Sequence, residues 1–332
     1  MSRKTRFTLS LAAGLAVLAA VGWSCDLDEA LRAASGVSPA WLVPLSAVYS
    51  VSWLLRGLRL RMILSMQGLR KGLADSLSLE LASDLANQFM PARLGDAVKV
   101  VYLKRTDGFG YAEGIFSAVL VRMLDLAALL SLSGICLLML PPGSAGAGHA
   151  ATASGAALLA FMSISAVLFW FRPSSLAGLM RGPLRRLREP FLRVRNGIEG
   201  SGGAVPAIFL VSCSVWIFDV MTLRIFLAAL GASLGPFETA FVLFVANLAK
   251  AVPLSPNGLG VYEGAAVILL TGFGAPRATA FAAGVLDHAF MNLFSALLSL
   301  GALARLGLSA GALAGMASSH FREPGGTPPE DP

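Results

Sequence analysis

Residues 77–104 form an apolar stretch with an unusual density of ionisable groups. Glu80, Asp84 and Asn87 stand at i, i+4 and i+7, which puts them on one helix face. Two like charges one turn apart repel, so this face needs a cation, a proton or water. On a helix at the membrane boundary, the same face is simply solvated. Downstream, Arg93, Asp96 and Lys99 sit at a break and in the first turns after it. The free N–H groups and positive dipole of a helix start suit a phosphate, and arginine adds a bidentate donor. Asp96, as a helix-start residue, would compete for those donors. In residues 237–271, Lys250 and Glu263 flank a second break. They are read either as headgroup contacts or as a mutual ion pair that holds the break shut. These eight residues are the expected substrate-binding set.

Further charges fall inside apolar runs, where ionisable side chains are costly. Arg122 and Asp125 are i, i+3 and are expected to pair within their own helix. Asp219 and Arg224 are five apart, about 140° round a helix, and are expected to find partners elsewhere. Asp287 and His288 are adjacent; histidine titrates near neutrality, but no matching relay is visible, so a structural role is expected. Cys25, Cys136 and Cys213 are scattered, giving neither a disulfide framework nor a metal-ligand spacing. No Walker motif, zinc signature or nucleophile elbow occurs. The expectation is therefore no cofactor, no metal, no catalytic residue and no enzyme, and ATP-driven transport would need another chain. The rival is a membrane transferase with a polyprenyl-linked donor, resting on Asp26 and Asp28 as an Asp-x-Asp metal site, and a third reading is a non-transporting partner that recruits other membrane enzymes.

The elements that must position these residues are membrane helices. The chain has 332 residues, 56% hydrophobic and 14% charged, against about 25% charged in a soluble domain. Apolar runs of bilayer-spanning length predict spans over 7–23, 39–56, 115–140, 152–171, 205–230 and 276–303. Trp23 makes a poor cleavage site, so the first is read as a span rather than a signal peptide. The fold class is all-α: one integral membrane domain over 1–310, then a disordered tail over 318–332. The net charge of +7 lacks the aromatic interleaving of nucleic-acid binders, so no nucleic-acid partner is expected. All Lys and Arg except Arg32, Arg122, Arg224, Lys250 and Arg277 fall in segments on one side of this topology. That places both termini in the cytoplasm of a cell-membrane protein. Within the basic loop 172–204, Leu184, Leu187, Phe191, Val194 and Ile198 form an amphipathic face suited to anionic lipid.

Two stretches are too interrupted to be simple spans. Residues 87–96 and 253–260 carry Pro and Gly breaks, so each stretch reads as a re-entrant pair of half-helices. Irregular backbone at this depth must be buried or line a wet cavity. Gly108-Phe109-Gly110 recurs as Gly272-Phe273-Gly274, Asn87 as Asn247, and Asp96 as Glu263. Halves of about 5–140 and 150–305 follow, each with three spans and one hairpin. An odd number of spans inverts the second copy, as in many transporters.

The run Asn87…Pro91-Ala92-Arg93-Leu94-Gly95-Asp96, with Gly108 and then Val121-Arg122-Met123-Leu124-Asp125, resembles the membrane domain of lysylphosphatidylglycerol synthases and the free-standing flippase-like proteins that share it. Pro256-Asn257-Gly258-Leu259-Gly260-Val261-Tyr262-Glu263 resembles the family's second signature. The resemblance covers roughly residues 5 to 305. It implies a phospholipid or lipid-linked substrate moved between leaflets; the expected partners are membrane lipids with anionic headgroups and membrane-bound lipid- or glycan-modifying enzymes. The family usually has Glu at the position of Asp96, commonly Glu at Val121, and often Arg at Tyr262. The synthases' soluble transferase domain is not expected here.

Overall fold

The computed structural model describes residues 3–140, 204–250, 255–309 and 311–312. The described residues are helical, with no strand among them. In chain order the helices are α1 (Arg3–Trp23), α2 (Leu27–Ser35), α3 (Leu42–Met66), α4 (Leu73–Phe89), α5 (Ala97–Asp107), α6 (Tyr111–Met139), α7 (Ala204–Ala229), α8 (Pro236–Ala249), α9 (Val261–Gly272) and α10 (Arg277–Leu306). The helices α6, α7 and α10 are long and apolar enough to cross a membrane. A fourth span results if α1 and α2, bent by 93°, count together. The expected span over 152–171, the amphipathic segment of 172–204 and the tail over 318–332 lie outside the described residues.

The expected second span needs correction. It was placed over 39–56 because Arg56, Arg59 and Arg61 read as the start of a basic loop. The helix instead continues for 25 residues to Met66 and takes these arginines with it. Arg59 is 2% exposed.

Both expected breaks are present. Helix α4 stops before Pro91, which cannot continue the hydrogen-bond ladder. It also forces its predecessor into extended backbone, and Met90 has φ −114 and ψ 132. A 3-10 turn over Pro91–Asp96 then leads into α5. In the second stretch a 3-10 turn over Pro256–Gly258 precedes α9. Two glycines are demanded by geometry. A Cβ on Gly95 would collide with the backbone of Ser83 and Asn87, so only glycine lets the turn fold back on α4. Gly258 has φ +76 and lies against the Lys250 side chain.

Helix α3 packs along α7 at the centre, α4 packs on α10, and α8 packs on α6. Each half-helix pair also leans on the following long helix, α5 on α6 and α9 on α10. One apolar core joins α6 to α10 around Leu223, Phe241 and Leu270. Another joins α3, α4, α5 and the end of α10 around Leu60, Leu79, Val98 and Leu303. The two 3-10 turns touch one another between these cores.

Candidate functional site

Where the breaks meet α3, α6, α7 and α10, a cavity of about 370 Å³ opens. Glu80, Asp84 and Asn87 all line it, as their helical spacing requires, together with Asp96, Arg122, Asp125, Asp219, Lys250 and His288.

The first broken stretch supplies a chain of paired charges. Lys99 Nζ donates to Glu80 Oε2 at 2.9 Å and lies 3.4 Å from Asp96. Asp96 does not cap α5. Its carboxylate instead takes two donors from Arg122, at 2.9 and 3.0 Å, and one from Asn87 at 3.2 Å. Bidentate pairing of this kind is among the stronger charge-assisted arrangements. Asp125 receives Arg59 at 2.5 Å, and Arg59 also donates to Ser212. The chain Glu80–Lys99–Asp96–Arg122–Asp125–Arg59 therefore alternates in sign, which is how buried charges are tolerated.

The expected Arg122–Asp125 pair is secondary. Their i, i+3 separation is 3.8 Å, while each makes a shorter contact with another element. Arg122 is held by Asp96 and Asp125 by Arg59 because those opposite charges lie closer, and the interaction falls with distance.

The second half has its own network. Asp219 accepts from Arg56 at 2.5 Å and from Ser52 at 2.6 Å. The Arg56 guanidinium lies over the Trp53 ring at 5.1 Å and over Trp216 at 6.0 Å, within cation–π range. Asp287 accepts from Thr222 at 2.7 Å and from Tyr262 at 2.5 Å. Glu263 accepts from the Gly260 backbone and contacts His288 Nδ1, both at 2.7 Å. Of the two readings of Lys250 and Glu263, the mutual ion pair is not what forms: Glu263 turns to His288, and Lys250 lies 5.4 Å over the Tyr262 ring. Asp287 and His288 thus serve separate partners despite being adjacent. Arg224 is exposed and away from the cavity. The side chain of Arg93 lies outside the described residues, so its expected headgroup role has no geometry here.

Arg56 and Arg59 were missed as site residues because basic residues after an apolar run read as topology markers. A signal did exist. Ser52, Arg56 and Arg59 stand at i, i+4 and i+7 on one face, and Trp53-x-x-Arg56 is matched by Trp216-x-x-Asp219.

A charged cavity enclosed by long apolar helices and two broken ones defines a helical membrane protein with an internal polar site. Residues 9–299 match the family described as the lysylphosphatidylglycerol synthase TM region, and the chain belongs to that family. It is 29% identical over 352 residues to a protein named glycosyltransferase AglD from Haloferax volcanii, covering 93% of this chain but 56% of that relative. It is also 23% identical to a UPF0104 membrane protein of Methanothermobacter thermautotrophicus, covering 86% of this chain and 89% of the relative. A 22% match to the UPF0104 membrane protein MJ1078 of Methanocaldococcus jannaschii covers 55% and 78%.

Proposed function

We propose that the protein moves a lipid between membrane leaflets, admitting the headgroup to the cavity while the hydrocarbon chains stay in the bilayer. The observation that carries this reading is the cavity itself, lined by charges of both signs where two broken helices meet. Intramembrane charge is costly and marks substrate paths, and transporters place such sites at broken helices.

Correspondences between the halves support an inverted repeat. Asp96 pairs with Arg122 as Glu263 pairs with His288. Each is an acid opening a half-helix, bound to the next long helix. Arg56 and Asp219 hold matching places after Trp53 and Trp216, and pair with each other, as residues beside a pseudo-twofold axis do. In this arrangement the hairpin at Pro91 opens to the cytoplasm and the one at Pro256 to the outside. The Lys and Arg that remain outside the cavity walls support both termini on the cytoplasmic side of a cell membrane. Arg122 is the most accessible of the ion-paired cations at this site and the one we assign to an anionic headgroup: its side chain is 30% exposed, against 16% for Arg56, 3% for Arg59 and 4% for Lys99.

The test is reconstitution of the purified protein in phosphatidylcholine vesicles with fluorescent phosphatidylglycerol in both leaflets. Reduction of the outer-leaflet label by dithionite should then proceed past half, at a rate proportional to protein copies per vesicle. A plateau at half for every lipid tried refutes transport.

The name of the Haloferax relative favours a second reading, in which this membrane region serves or performs glycosyl transfer from a lipid carrier. Asp26, one of the two acids behind that reading, accepts from Glu29 N and so caps α2. Glycosyl transfer from a polyprenyl-linked donor by the purified protein, without leaflet exchange, would establish it.

A further inference from the structure

Four asparagines line the cavity, Asn87, Asn247, Asn257 and Asn292, and their amides are only partly used. Asn257 Nδ2 donates to Asn292 Oδ1 at 2.6 Å. With either assignment of oxygen and nitrogen, such a pair leaves one amide NH2 group and one amide oxygen without a partner among the described residues. Asn247 Nδ2 donates to Leu243 of its own helix at 3.0 Å, leaving its oxygen unused among the described residues. Asn87 Oδ1 is buried without a partner among them. Beside the amides stand Ser295, bonded to Asp84 at 2.9 Å, and the aromatic side chains of Tyr49, Trp53 and Trp216.

Six of the charges lining the cavity pair with one another, Arg56 with Asp219, Arg59 with Asp125 and Arg122 with Asp96, while Asp84 accepts from Gln88 and Ser295. A headgroup with a second permanent charge at this position would compete with those pairs, and buried pairs are costly to break. A hydroxyl-rich ring would not. Each hydroxyl both donates and accepts, which matches amides offering one of each, and its C–H surface suits aromatic walls. The cavity of about 370 Å³ falls within the range of small-ligand sites.

We infer that the group held by the asparagine cluster is a neutral saccharide, so that the cargo is a glycosylated lipid phosphate. This rests on the lipid-transport reading for its context and names the substrate class of the same cavity. The sugar lies among Asn247, Asn257 and Asn292, and the single phosphate is left to Arg122, which lines the same cavity.

The experiment titrates the full chain in phosphatidylcholine nanodiscs with short-chain polyprenyl phosphate carrying one hexose, following tryptophan fluorescence. The same polyprenyl phosphate without sugar, and short-chain phosphatidylglycerol and lysylphosphatidylglycerol, are titrated in parallel. The glycosylated probe should bind about tenfold more tightly than the bare phosphate, the effect of two net hydrogen bonds. In Asn292→Ala that ratio should fall toward one. Asn247→Ala, which removes a hydrogen bond only within its own helix, gives the same readout should Asn292→Ala misfold. Equal affinity with and without sugar, or tighter binding of lysylphosphatidylglycerol, overturns the inference. Leaflet exchange of phosphatidylglycerol with no sugar preference leaves transport standing and removes the saccharide. Sugar-selective binding without exchange of any lipid does the reverse.

Discussion

Lys99 is 3% exposed, and its ammonium bridges Glu80 at 2.9 Å and Asp96 at 3.4 Å. Lys99→Met keeps the length and apolar stem of the side chain but deletes the charge. Asp96 then still has Arg122, whereas Glu80 has no other cation within pairing distance among the described residues. Its Oε1 is already buried without a partner. Breaking a buried pair from one side costs about 3–5 kcal/mol, because the surviving charge is uncompensated. Removing that charge as well should recover much of the loss, so Glu80→Gln in the Lys99→Met background should be more stable than Lys99→Met alone. The coupling energy between the two positions should be about 2 kcal/mol. The assay is a double-mutant cycle of unfolding midpoints in mixed detergent and SDS micelles, with near-ultraviolet circular dichroism as the probe. A Lys99→Met protein within about 0.5 kcal/mol of wild type, or additive single changes, would refute the pairing. It would also remove the argument that alternating charge is what makes this wall of the cavity tolerable.

Arg122→Lys should keep a positive charge but lose the two-donor geometry on Asp96, and should lower lipid exchange about tenfold, with Arg122→Ala lower still; unchanged exchange in a folded Arg122→Ala protein would exclude it as the anion contact. Gly95→Ala should destabilise the first hairpin by about 1–3 kcal/mol, because its Cβ meets backbone rather than a flexible side chain; a melting temperature equal to wild type would show that the turn is not held against α4. A cysteine at Ser144 should react with an impermeant maleimide added outside intact cells while one at Ser174 should not, and the opposite pattern would reverse the proposed orientation.

The helices and their interruptions were legible in the residues themselves. Apolar runs at spanning length and Pro and Gly breaks are local signals, because backbone hydrogen bonding in a helix is satisfied within a few residues. The ends of α6, α7 and α10 accordingly fall within four residues of the positions read from the runs alone. The i, i+4, i+7 spacing of Glu80, Asp84 and Asn87 likewise placed all three on the cavity side. Ion-pair partners were a different matter. Arg59 and Asp125 are 66 residues apart, Arg56 and Asp219 are 163 apart, and nothing local ties one to the other. Proximity in sequence pointed instead to Arg122 with Asp125 and to Lys250 with Glu263. The packing of α3 along α7, and of each half-helix pair on its long neighbour, brought Arg59, Asp96 and His288 within shorter reach. A charge in a low-dielectric interior is stabilised by whichever opposite charge lies nearest with good geometry. That choice belongs to the tertiary structure, which also turned two arginines from loop markers into walls of the cavity.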